Sequence, residues 1–335
     1  MKLLVAVFGA VVLLLVAGAA PAFSQGASGA ADAKAAEVLA KTRKALGDKK
    51  LEGLKTFSAQ ATMDRNLGNM QASSEVELFV EMPDKYVRAE ASRGMGGMTM
   101  STGFNGEKAI LPGGGNMSMG PGGAMVFRMG PGGGMHSEGA KPTPEQLAQI
   151  NASSLKTSRA DVSRMMLGWF GAAHPSIQAT YTYAGEAESP DGKAHVIDVK
   201  DADGFEARLF VDQNNYLPLM VTYKGRQPRI MTSGAPMVRS GGQPPAGSAA
   251  QTRELSAEER KKVAGDAEKM LAQQMAEQPL TDISLFFEEW QQVDGLTFPH
   301  KMRRAIAGET TEEWTFTKIK VNPKIDAAKF AVESK

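Results

Sequence analysis

The chain has 335 residues, with 38 lysines and arginines against 37 aspartates and glutamates, and no cysteine. Losing Lys2 with an export signal leaves acid and base in balance, which excludes the concentrated positive charge of a nucleic-acid binder. Without cysteine there is no disulfide, thiolate metal site, cysteine nucleophile or lipidated N-terminus, so an exported domain must rely on its own core.

The N-terminus reads as that export signal. Met1-Lys2 precedes an apolar run from Leu3 to Val16, followed by small residues up to Gln25. Cleavage near residues 22–24 fits the small-residue rule. The run is short for a membrane span of about 20 residues, so no transmembrane anchor is expected after cleavage. The predicted organisation is a signal peptide over 1–24 and one domain over 25–335.

Asp32 to Leu46 is predicted as an amphipathic helix. Ala35, Val38, Leu39, Thr42, Ala45 and Leu46 fall on one face, and Gly47 closes it. Strands follow. Phe57, Ala59, Ala61 and Met63 alternate with polar neighbours, as do Val76, Leu78 and Val80. That is the pattern of half-solvated antiparallel strands. Pro83-Asp84 turns the chain into Tyr86 to Glu90, and Asn105-Gly106 marks a hairpin.

From Gly94 to Gly139 the chain is rich in glycine, methionine and proline. Residues 112–140 are expected to be a mobile loop, because ordering so much glycine is costly. Thr143-Pro144-Glu145-Gln146 carries helix-start signals. Ser158 is read as starting a further helix, with Val162, Met165, Met166 and Trp169 as its apolar stripe. Strands are expected over 179–187, 194–200, 205–212 and 217–224. A second loose insertion covers 225–251, and a charged helix covers 256–276. The chain closes with Asp282 to Val293, an Asp294-Gly295 hairpin turn, and a strand from Thr310 to Val321. The fold class is α+β, mainly β: a strand meander interrupted by helices.

No catalytic motif accompanies these elements. The four histidines, His136, His174, His195 and His300, lack zinc-site spacing and read as surface or partly buried polar residues. Glu288-Glu289 and Glu312-Glu313 point to opposite faces of a strand and read as solvated edges. Ser153 and Lys156 match a penicillin-recognising Ser-x-x-Lys without its companion motifs. Met98, Met100, Met117 and Met119 are spaced like thioether ligands for Cu(I). Methionine equally suits an adaptable apolar surface. No enzyme activity and no cofactor are expected.

Several stretches resemble the superfamily of periplasmic lipoprotein carriers, the LolA/LolB-like and outer-membrane lipoprotein-sorting proteins. They are the exported helix ending in Ala-Leu-Gly before Leu54 to Ser58, the corner from Glu77 to Tyr86, and the Phe104-Asn105-Gly106 hairpin. Leu209 to Asp212 with Leu217-Pro218-Leu219, Val293 to Pro299 and Val321-Asn322-Pro323 complete the set, in the family's order. The resemblance implies a strongly curved antiparallel sheet, an unclosed barrel, with helices covering its concave side. It also implies acyl chains of a lipid or lipoprotein as the ligand. The expected cavity lies between the sheet and the Val162, Met165, Met166, Trp169 stripe, with Phe79, Tyr86, Phe104, Phe286, Trp290 and Trp314 on the sheet side. Other readings are an envelope sensor acting through a protein partner on the same fold, or a copper-binding protein using the methionines.

Overall fold

The computed structural model describes residues 25–67, 70–92, 99–111, 117–119, 125–127, 144–189, 192–226 and 280–331. The signal segment, most of the two insertions, the 256–276 helix, His136 and Met98 lie outside them. Helix α1 spans Gln25–Leu46 and a short helix α2 spans Lys49–Glu52. Strands β1 Thr56–Leu67, β2 Met70–Glu81, β3 Lys85–Ser92, β4 Thr99–Asn105 and β5 Lys108–Ile110 follow. Strands β6 Met117–Met119 and β7 Met125–Phe127 pair as a separate hairpin. Paired backbone thus exists inside the segment expected to be only loop. Helix α3 spans Pro144–Phe170. Then come β8 Thr180–Ser189, β9 Gly192–Lys200, β10 Glu206–Asp212, β11 Pro218–Gly225, β12 Thr281–Val293, β13 Leu296–Ile306 and β14 Glu309–Val321.

Twelve of these strands form one sheet in the order β5-β4-β3-β2-β1-β14-β13-β12-β11-β10-β9-β8, with every neighbouring pair antiparallel. Two meanders are joined where the first strand pairs with the last, Phe57 opposite Val321. Turn chemistry sets the register. Asp294 and Gly295 both have positive φ, 53° and 80°, the geometry of a type I′ hairpin. Ala307 and Gly308 repeat it between β13 and β14 at 50° and 85°, with an alanine that gives no sequence cue.

The sheet curls without closing. Asn151 of α3 accepts from the backbone of Ala109 on β5 at 2.8 Å. Lys156, about 8 Å further along the helix, donates to the Asp203 carbonyl at the β9–β10 turn at 2.7 Å. In a flat sheet those strands would stand on the order of 40 Å apart. Only a strongly curved sheet brings both to one helix, and α3 therefore lies across its concave side. Among the described residues β5 and β8 are the edge strands of the sheet.

α3 is one helix, not two. The Ser158 start signal is unused because the polar residues before it are satisfied within or beside the helix. Thr157 donates to the Ser153 carbonyl at 3.0 Å and Ser153 to that of Ile150 at 3.1 Å. Gly168 lets α3 lie close on the sheet. A Cβ there would come within 1.9 Å of the Phe287 ring. α1 buries Ala35, Val38, Leu39, Thr42 and Leu46 as its spacing predicts, and packs against β8 and β13. On the convex face Phe330 is buried with Val87, Ile110 and Phe79, so the C-terminal turn straps that side.

Candidate functional site

The concave face begins as an apolar chamber filled by rings. Trp169 is fully buried. It meets Phe57, Phe298 and Phe316 with ring centroids 5.6, 5.7 and 4.8 Å away. Val162, Met165, Met166, Tyr86, Phe104 and Trp314 are buried in the same cluster, and Trp290 packs against it half-buried. The structure therefore gathers eight of the ten residues expected at the site.

It does not gather Phe79 and Phe286. Phe79 lies between buried Leu78 and Val80, and Phe286 between buried Leu285 and Phe287, so strand alternation sends both to the convex face. There Phe79 packs with Phe330, and Phe286 lies under the Arg303 guanidinium at 4.2 Å. Apolar residues at consecutive positions left their facing undetermined in the sequence. Of the methionines weighed as copper ligands, Met100 is half-buried on β4 opposite Glu90, while Met117 and Met119 stand on the β6–β7 hairpin.

Further along the concave face, toward the rim where the β1–β2 and β13–β14 hairpins turn, the inward rows become charged. On β1 the row runs Ala59, Ala61, Met63, Arg65. On β3 it runs Tyr86, Arg88, Glu90, and on β14 Phe316, Trp314, Glu312. Register places Arg65 and Arg304 directly opposite Glu312. Arg65 donates to Glu312 at 3.1 Å and to Glu90 at 3.2 Å. Arg88 donates to Glu90 at 2.8 Å and lies 4.6 Å over the Trp314 ring. Arg304 and the Trp314 indole N–H reach Glu312 at 3.5 and 3.4 Å. Arg65 and Arg88 also donate to the Met63 sulfur.

Glu312 is thus a correction. It is buried, not a solvated edge. Burial opposes its charge, but Arg88, Arg304 and Arg65 outweigh that and hold its carboxyl below the usual range. The available cue was charge at core parity on adjacent strands, which reading each strand alone does not reveal.

Two histidines are also more buried than expected. His174 is fully buried with its ring edge on Phe104, and its Nδ1 bonds Ser176 at 2.8 Å. Burial, and secondarily Arg159, push its pKa down to about 4. It should stay neutral in an NMR titration until about pH 4; a midpoint near 6.5, that of an ordinary solvated imidazole, would place the ring in water instead. His195 is buried against Tyr216, with Nδ1 3.1 Å from the Tyr183 hydroxyl.

A recess of about 290 Å³ opens on the convex face, where Ala89, Ala91 and Thr317 leave room between Gln60, Glu75 and Glu77. Its polar walls offer an acyl chain little. Among the described residues no acidic or histidine group has the makings of a metal site, and no helix is long and apolar enough to cross a membrane.

No protein-family model matches the sequence, and no curated protein matches it. Among solved structures the chain is similar to a LolA superfamily protein from Nitrosomonas europaea, at 8% identity and a TM-score of 0.43, over 89% of this chain and 97% of that one. It is similar to a domain named for outer membrane lipoprotein sorting from Vibrio parahaemolyticus, at 10% identity and a TM-score of 0.40, with the same coverage of each. A DUF1329 family protein from Desulfovibrio piger follows at 11% identity and a TM-score of 0.37, over 89% and 97%.

Proposed function

We propose that the chain is a non-catalytic periplasmic carrier that binds the acyl chains of a lipid or lipoprotein on the concave face of the sheet, beneath α3. The observation that carries this reading is the nature of the cover. An unclosed sheet with an apolar concave face is capped by α3 across its middle and by α1 over β8 and β13, and α3 meets it through Met165, Met166, Gly168 and Trp169. Unbranched methionines and a glycine re-pack at little cost.

Because Trp169 and its neighbouring rings fill the interior, an acyl chain enters only as α3 swings away. The magnitudes limit the ligand. A sixteen-carbon chain gains on the order of 12 kcal/mol on burial, at about 0.8 kcal/mol per CH₂. Fully exposing the α3 stripe costs roughly 1.5–3 kcal/mol for each large apolar side chain. One chain about balances the loss of several side chains, so a ligand with two or more chains is favoured. The Trp169 indole N–H, buried without an acceptor among the described residues, suits an ester carbonyl of such a ligand.

Tryptophan fluorescence during titration with a lipidated peptide tests the proposal. A saturable change is expected, reduced at least tenfold in affinity by Met166→Glu. A flat titration in wild-type protein would leave the filled interior as a structural core and favour the sensor reading.

A further inference from the structure

We infer that Arg65, Arg88 and Arg304 form a headgroup site for a phosphate-bearing amphiphile, holding its single negative charge at the rim while its chains lie beneath α3. The inference rests on the carrier reading and adds the chemistry of the head. Three observations carry it.

The first is charge. With Arg164 and Asp161, which pair beside Arg304, four guanidiniums face three carboxylates, Glu90, Glu312 and Asp161, which leaves one positive charge over, the complement of one phosphodiester. The second is unused donors. The Nε atoms of Arg88 and Arg304 are buried with no acceptor among the described residues, in a setting where an unpaired donor costs about 1–3 kcal/mol. The arginine side chains are nevertheless 23–28% exposed, so a ligand can reach the group. A tetrahedral phosphate presents several acceptor oxygens to converging forks of this kind.

The third is continuity. Trp169, Phe316 and Trp314 form an unbroken row, with centroids 4.8 and 6.1 Å apart, and the Trp314 ring carries Arg88 on its face. Apolar chamber and charged rim are thus two ends of one surface, matching the two ends of an amphiphile.

The test compares binding of dioctanoylphosphatidylglycerol, dioctanoylglycerol and inorganic phosphate to the full chain by isothermal calorimetry, with the lipids below their micelle concentrations. Wild-type protein is expected to prefer the anionic lipid over the neutral one at least tenfold, and to bind phosphate alone far more weakly than either. Arg88→Gln should bring the two lipids within about twofold of each other. Glu90→Gln, which frees Arg65 and Arg88, should widen the preference and guards against a mere folding defect. Equal binding of the two lipids by wild type overturns the headgroup site and leaves the carrier reading standing. Phosphate binding as tightly as the lipid overturns it in favour of a free-anion site. No binding of either lipid removes the carrier reading and this inference together.

Discussion

Trp169→Ala is expected to lower the unfolding free energy by about 3–5 kcal/mol, the range for emptying a buried large aromatic site, measured by urea denaturation. Its ring is fully buried against Phe57, Phe170, Phe298 and Phe316, which belong to α3, β1, β13 and β14. Removing it therefore unseats the helix from the middle of the sheet rather than from one edge. A loss under about 1 kcal/mol would mean that α3 contributes little at this point and stands away from the sheet in solution.

The second large effect belongs to Glu312. Glu312→Ala is expected to cost about 3–5 kcal/mol, because removing the buried carboxylate leaves Arg304 without its ion-pair partner and Arg65 with Glu90 alone. The pH dependence has a definite sign. The folded carboxyl titrates below the usual carboxylate range, so its contribution is fully present above that range and fades as pH falls through the lower, folded pKa. Between pH 6 and pH 3 wild-type protein should therefore lose more stability than Glu312→Gln does. Parallel losses in the two proteins would show that the carboxylate is solvated.

Much of this architecture is legible in the sequence because its cues are local. Alternation gave β1, β2 and the strands from Ala179 to Lys224 to within a few residues, and the Asn105-Gly106 and Asp294-Gly295 pairs placed two hairpins correctly. Where the cue was ambiguous the reading failed for a physical reason. Leu78-Phe79-Val80 and Leu285-Phe286-Phe287 are apolar on both parities, so alternation could not say that Phe79 and Phe286 face outward. Ser158 looked like a helix start because a capping side chain and a mid-helix side chain bonded to its own backbone use the same residue types. The charged rim was invisible because it exists only in register. Arg65 is far in the chain from the Arg304 and Glu312 hairpin, and the three meet when β1, β14 and β13 lie side by side.

Photocrosslinking tests the central claim most directly. A diacyl lipid with a diazirine in one chain, bound to the full protein and irradiated, should label the inward positions of β1, β14 and α3, namely Met63, Trp314, Met165 and Met166, as mapped by peptide mass spectrometry. Label confined to the convex face around Phe79 and Phe286, or no specific label at saturating lipid, would contradict the account.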